Sequence, residues 1–103
     1  MDYVQIDDLG VEEKTRLERI ARRVVWWKPP GETLDRPDHF LAHVMTYGEW
    51  GDWETIRNIF GDSIFKRVLD DPPAGVFDKR SWHYWHIIFK REVPPLPERK
   101  IPV

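Results

Sequence analysis

Four histidines offer the most recognisable chemistry in this 103-residue chain. His39 and His43 stand four residues apart, and His83 and His86 stand three apart. On helices these spacings put each pair on one face, from which four imidazoles could hold a transition metal. No carboxylate-bearing metal motif such as HExxH accompanies them. In a sequence this rich in rings, a neutral imidazole is more commonly the partner of a carbonyl or a tyrosine hydroxyl. No metal or other cofactor is therefore assigned.

Other catalytic constellations have less support. Ser63 and Ser81 fall where helices should begin, so their hydroxyls serve as caps, and neither lies in a GxSxG elbow. Asp7/Asp8, Glu12/Glu13 and Asp70/Asp71 are sequence neighbours at helix ends, where carboxylates favour the first turn or face water. There is no glycine-rich phosphate loop and no cysteine, which removes thiolate chemistry and a disulfide framework. The chain is read as non-catalytic.

Sixteen Lys and Arg against eighteen Asp and Glu give a formal charge of −2, whereas a general nucleic-acid binder carries a positive excess. Arg16, Arg19, Arg22 and Arg23, with Arg99 and Lys100 near the C-terminus, could touch phosphate, but interleaved glutamates describe a solvated face. The segment from Asp52 to Leu69, with Gly61 at its middle, prompts comparison with a helix-turn-helix. Arg57 and Asp62, however, occupy positions where that motif wants a small and an apolar residue. A small DNA-binding regulator of its own operon remains the alternative reading.

The stronger signal is aromatic. Six Trp, five Phe and three Tyr make up 14% of the chain, and each ring carries about 150–250 Å² to be buried. The stretch RRVVWWKPPGE places Trp26 beside Trp27. Neighbours on a helix diverge by about 100°, so both cannot face one core. Trp27 continues the stripe of Leu17, Ile20, Ala21 and Val24 and is expected inside, which sends Trp26 elsewhere. Further anchors are Trp50 and Trp53, then Trp82, Tyr84 and Trp85. Trp, Tyr and Arg dominate interface hot spots, so the surplus of rings points to a protein partner.

The elements that must position these side chains are all helical, because no alternating strand pattern competes with the 3- and 4-residue spacing of apolar positions. The fold class expected is an all-α bundle of about five short helices. The first runs from about Asp8 to Trp27 and is ended by Pro29 and Pro30. The second starts near Pro37 with Asp35 as a cap and buries Phe40, Leu41, Val44 and Met45 before Gly48. The third is capped by Asp52 and carries Trp53, Ile56, Ile59 and Phe60 to Gly61. The fourth opens at Asp62 or Ser63, turns Ile64, Phe65, Val68 and Leu69 inward, and stops at Asp70 to Pro73. The fifth follows Asp78 and runs from Lys79 to about Arg91.

Within that last helix, SWHYWHIIF is apolar or aromatic on every side, the pattern of a helix buried all round. The domain is placed at residues 1–92. Residues 93–103 form a proline-rich tail that packs on the domain or on a partner, and the version preferred lays it across the domain's own tryptophans. The N-terminal MDYVQIDDLG is acidic and has no apolar core of a signal peptide, and no apolar run approaches the roughly 18 residues of a membrane span. A soluble, cytoplasmic protein is expected.

From Tyr47 to Phe89 the order is a glycine, a tryptophan-containing cap, a short helix ending in Phe-Gly, a second helix with Val-Leu and a helix rich in rings. This order resembles small bacterial proteins encoded directly beside nucleotidyltransferase-type toxins of the abortive-infection (AbiEii-like) class. RRVVWWKPP followed by a leucine-rich helix is similar to one proteobacterial branch of that group, with the likeness covering about Leu17 to Pro97. The resemblance implies the antitoxin or partner subunit of such a pair, a helical protein that binds the enzyme and masks it. It carries no established functional residues. The partner-binding residues expected therefore come from the physical reading alone: Trp26, Trp50, Tyr84, Trp85, Arg22 and Arg23.

Overall fold

The computed structural model describes residues 9–96, and within them the regular structure is helical, with no strand. Six helices follow in order: α1 (Val11–Val24), α2 (Pro30–Leu34), α3 (Pro37–Tyr47), α4 (Trp50–Phe60), α5 (Ser63–Asp70) and α6 (Lys79–Ile88). The all-α class holds, with one helix more than the sequence suggests.

That extra helix is α2. Two prolines read as a break, yet Pro30 sits in the first turn, where a missing N–H costs nothing and the fixed φ suits the helix. Thr33, on the buried side of α2, returns its hydroxyl to the Pro29 carbonyl at 3.4 Å. The helix before it ends earlier than expected. Val25 leaves helical geometry at φ −132°, ψ 65°, and Val24 and Val25 both turn into the core. Two β-branched residues in sequence, with Lys28 three residues on held away from the helical region by Pro29, favour this early exit. At the other end Gly10 precedes α1 and its N–H donates to Glu13 Oε1 at 3.2 Å. The expected start at Asp8 lies outside the described residues.

The later helices begin and end near the predicted punctuation, with corrected caps. Arg36, not Asp35, is the N-cap of α3, because Pro37 takes the first helical position. Glu49 is the N-cap of α4, and Asp52 stands at its third position, accepting from the Glu49 N–H at 2.9 Å. Asp78 caps α6 by accepting from the Ser81 N–H and hydroxyl, each at 2.7 Å. Those two bonds hold the Asp78 carboxyl below the usual carboxylate range.

The helix at the centre is α3, which packs against α1, α2, α4, α5 and α6. It contributes Phe40, Leu41, Ala42, Val44 and Met45 to a core that also takes in Leu17, Ile20 and Ala21 of α1, Ile56 of α4, Phe65 and Val68 of α5, and Trp82 and Trp85 of α6. The all-round apolar α6 is therefore not enclosed. Ser81, Trp82, Trp85 and His86 face inward, while His83, Tyr84, Ile87 and Ile88 face solvent. Beyond α6, Leu96 packs against the core and Trp82 reaches the Pro94 carbonyl. Residues 97–103 of the predicted tail lie outside the described residues.

The turn from α3 into α4 is tight. A Cβ built on Gly48 would stand 2.5 Å from the Val44 carbonyl oxygen and 3.3 Å from Asp52 Oδ2. Both are fixed, the first by backbone and the second by its bond to Glu49. Gly48→Ala is expected to lower the unfolding free energy by about 1–3 kcal/mol in urea titrations, the usual cost of overpacking. An alanine variant as stable as the parent would contradict this account of the corner.

Candidate functional site: a band of exposed rings at the α3–α4 corner

A tryptophan placed inside a protein needs an acceptor for its indole N–H. Helices supply such acceptors at their C-terminal ends, where the last carbonyls have no partner within the helix. Here Trp85 Nε1 donates to the Met45 carbonyl and Trp53 Nε1 to the Val44 carbonyl, each at 2.8 Å; the Val44 oxygen also accepts the Gly48 N–H at 2.8 Å, so Trp85 supplies a donor the backbone does not and Trp53 adds a second one. Trp82 Nε1 donates to the Pro94 carbonyl, also at 2.8 Å. Three of the six tryptophans are thus spent on backbone oxygens, and two of these rings, Trp82 and Trp85, are buried.

The other three are outside. Trp26 is 77% exposed, Trp50 60% and Trp27 53%, and their indole nitrogens meet no protein acceptor among the described residues. Trp26 and Trp27 pack edge to face at 5.8 Å between ring centroids, and Trp27 meets His43 at 5.7 Å. His43 in turn lies 6.1 Å from Tyr47, which is itself exposed. A second row begins at Trp50, which meets Trp53 at 6.3 Å, and continues through Trp53 to Tyr84 at 5.8 Å. Tyr47 and Trp50 are three residues apart, a span of at most about 10 Å, so the two rows converge on the α3–α4 corner.

An ion pair pins that corner to α1. Arg23 makes two hydrogen bonds to the Asp52 carboxylate, one of them 3.0 Å between Nη1 and Oδ2. Burial alone would push the Asp52 carboxyl up, but the bonds from Arg23 and from the Glu49 N–H outweigh it and leave the group below its ordinary value. The same bond, joined by the charges of Asp52 and Glu49, raises Arg23. Two further arginines are similarly occupied: Arg57 pairs with Asp62 and Arg91 with Asp70. Arg57 and Asp62, the misfits to a helix-turn-helix, thus bind each other.

The histidines divide between α3 and α6. His86 is buried, with Nδ1 2.7 Å from the Trp82 carbonyl, whereas His83 is exposed. His39 and His43 are half-buried on α3, their rings stacked at 6.5 Å. The described residues contain no group of three or more His, Cys, Asp or Glu arranged to hold a metal ion.

Against these positions the sequence expectations sort as follows. Trp26, Trp50 and Tyr84 stand on the ring band, and Arg22 is exposed one residue from the Arg23–Asp52 pair. Trp85 is corrected: it is 4% exposed, held inside by the Met45 carbonyl and by contacts with Trp53 and Phe65. Arg23 is half exposed, with its guanidinium bound to Asp52. Trp27, expected in the core, lies on the band because α1 ends at Val24 and Val25 takes the inward place. Tyr47, Ile87 and Ile88 also belong to the exposed apolar surface and were not among the expected contacts. The Val-Val pair ahead of Lys-Pro-Pro was the signal that α1 would stop before Trp27.

The chain matches no protein-family model, no curated protein and no solved structure.

Two measurements follow from this geometry. Trp85→Phe leaves the Met45 carbonyl without its donor in a buried place and is expected to cost about 1–3 kcal/mol, read by thermal or urea unfolding; an unchanged midpoint would contradict the capping role. Because Asp52 is held low when folded, its contribution is present above the ordinary carboxylate pKa of about 3.9 and is lost as pH falls from there through its folded value. Asp52→Asn should therefore cost about 1 kcal/mol at neutral pH, since Arg23 is half exposed, and should flatten the loss of stability in acid. An acid limb identical to the parent's would show that the pair contributes nothing.

Proposed function

We propose that this chain is a non-catalytic, cytoplasmic protein-interaction module, the antitoxin or partner subunit of a nucleotidyltransferase-type toxin that it binds and masks. The observation that carries the docking part is the division of the indoles: Trp26, Trp27 and Trp50 are exposed, with no acceptor for their N–H among the described residues, while Trp53, Trp82 and Trp85 donate to backbone carbonyls. Exposed rings with an unused N–H are suited to an interface, where apolar area and one directed hydrogen bond are gained together. Clusters of large exposed apolar groups are uncommon on a small monomer's surface without a role in binding. The choice of a nucleotidyltransferase as the occupant rests on the resemblance carried by Tyr47 to Phe89.

The electrostatics give the regulator reading less room at three arginines, one of which, Arg23, was a candidate phosphate contact. Arg23, Arg57 and Arg91 are each bound to a carboxylate, so phosphate contacts at these positions would first have to break an ion pair. Masking would work by occlusion, the ring band covering the rim of the partner's active site without any chemistry of its own.

The test is to read the adjacent gene and to co-purify the chain with its product, followed by titration of variants. Trp26→Ala and Trp50→Ala are each expected to weaken binding by about thirtyfold or more, the scale of an interface hot spot, with helix content by circular dichroism unchanged. Binding unaltered in both variants would contradict the placement of the surface. An adjacent gene of another class, or salt-sensitive binding to promoter DNA, would move the reading to a regulator.

A further inference from the structure

The Trp26–Trp27 end of the band rests on a pair of histidines whose hydrogen bonds define their protonation. Arg36 Nη2 lies 2.7 Å from His39 Nε2, and a guanidinium only donates, so that nitrogen offers a lone pair and the ring is neutral. His43 Nδ1 lies 2.6 Å from the His39 carbonyl, which only accepts, so that nitrogen carries the proton. The two imidazoles stack with an interplanar angle of 26°, and His43 supports Trp27 on one side and Tyr47 on the other.

We infer that His39 and His43 form a proton-operated latch beneath the Trp26–Trp27 end of the ring band, closed at neutral pH and opened by mild acid. Its meaning for a partner rests on the docking reading above: a face ordered when the imidazoles are neutral would release its occupant on acidification.

Protonation of His39 at Nε2 removes the acceptor that Arg36 uses and brings two cations into contact. Lys28, from the turn after α1, adds a third positive charge that acts on both imidazoles, while Asp38 in the first turn of α3 opposes it at His39. A second proton, on His43, would stack one imidazolium on another. An attraction of a charged His43 to the Trp27 ring works against opening, while the direct contact of His39 with Arg36, reinforced by Lys28, favours it. Burial holds both imidazoles below the ordinary histidine value, helped at His39 by Arg36 and Lys28 and at His43 by Lys28, the His39 carbonyl opposing it at His43. The sign follows: the unfolded or opened state binds more protons, so the closed latch loses stability as pH falls below about 6.5.

The full chain labelled with 5-fluorotryptophan provides the test, because each indole gives its own fluorine signal, assigned by single Trp→Phe variants. Between about pH 7.5 and pH 5, the Trp27 signal is expected to move along a titration centred below about 6.5, while the signals of Trp53 and Trp85 stay in place. In the His39→Gln/His43→Gln double variant, with helix content matching the parent at neutral pH, the Trp27 signal should be flat. Arg36→Gln should raise the midpoint. A flat Trp27 signal in the parent would overturn the inference, as would the same movement in the double variant or movement shared with Trp53 and Trp85. No partner enters the experiment, so a failure of the docking reading leaves its result standing.

Discussion

The Met45 carbonyl at the end of α3 must be bonded in surroundings where water is scarce, and the Trp85 indole N–H does it, while the Val44 carbonyl, already bonded to the Gly48 N–H, takes the Trp53 indole as a second donor. These bonds place Trp53 and Trp85 before any question of function arises. Val44 and Met45 are buried, their oxygens point out of the helix end, and the ring that bonds each one also fills the space between α3, α4 and α6. A phenylalanine would supply the volume without the donor. Around the same end, Gly48 allows the chain to fold back, and Asp52 joins the start of α4 to Arg23 of α1. A few short-range requirements thus fix the corner on which both rows of exposed rings converge.

Tryptophan content by itself therefore says little about function, because half of the rings have a structural occupation. What is informative is the remainder. Trp26 and Trp27 follow the exit of α1, Trp50 opens α4, and Tyr47 closes α3, so all four occupy ends of helices anchored by the corner. Rings held on well-packed helix ends lose little conformational freedom on docking, which favours affinity per contact. Elsewhere on the surface, Arg57 pairs with Asp62 and Arg91 with Asp70.

Much of the fold is legible in the sequence because its helices are punctuated locally. Gly48, Gly61, the Asp71-Pro72-Pro73 break and the Asp78 cap mark boundaries that the structure keeps within a few residues. The failures share a physical origin. Extending the 3.6-residue period carried Trp27 into the core, but two β-branched valines and a Lys-Pro step ended the helix first. A proline pair suggested a break and concealed α2, for which Pro30 is the first residue. Along α6, rings occur on both sides, so the local pattern could not tell Trp85 from Tyr84. The deciding contact is a hydrogen bond to Met45, forty residues away along the chain. Likewise the pairing of Arg23 with Asp52 depends on how α1 meets α4, which neither segment's composition records.

Hydrogen exchange at the six indole N–H groups tests the division of labour most directly. In spectra of the protein with 15N-labelled tryptophan, the account expects the indole protons of Trp53, Trp82 and Trp85 to be protected, and those of Trp26, Trp27 and Trp50 to exchange with water at the rate of free indole. Protection of Trp26 and Trp50 equal to that of Trp85 would contradict it, for the chain would then be satisfying its own rings and leaving none for a partner.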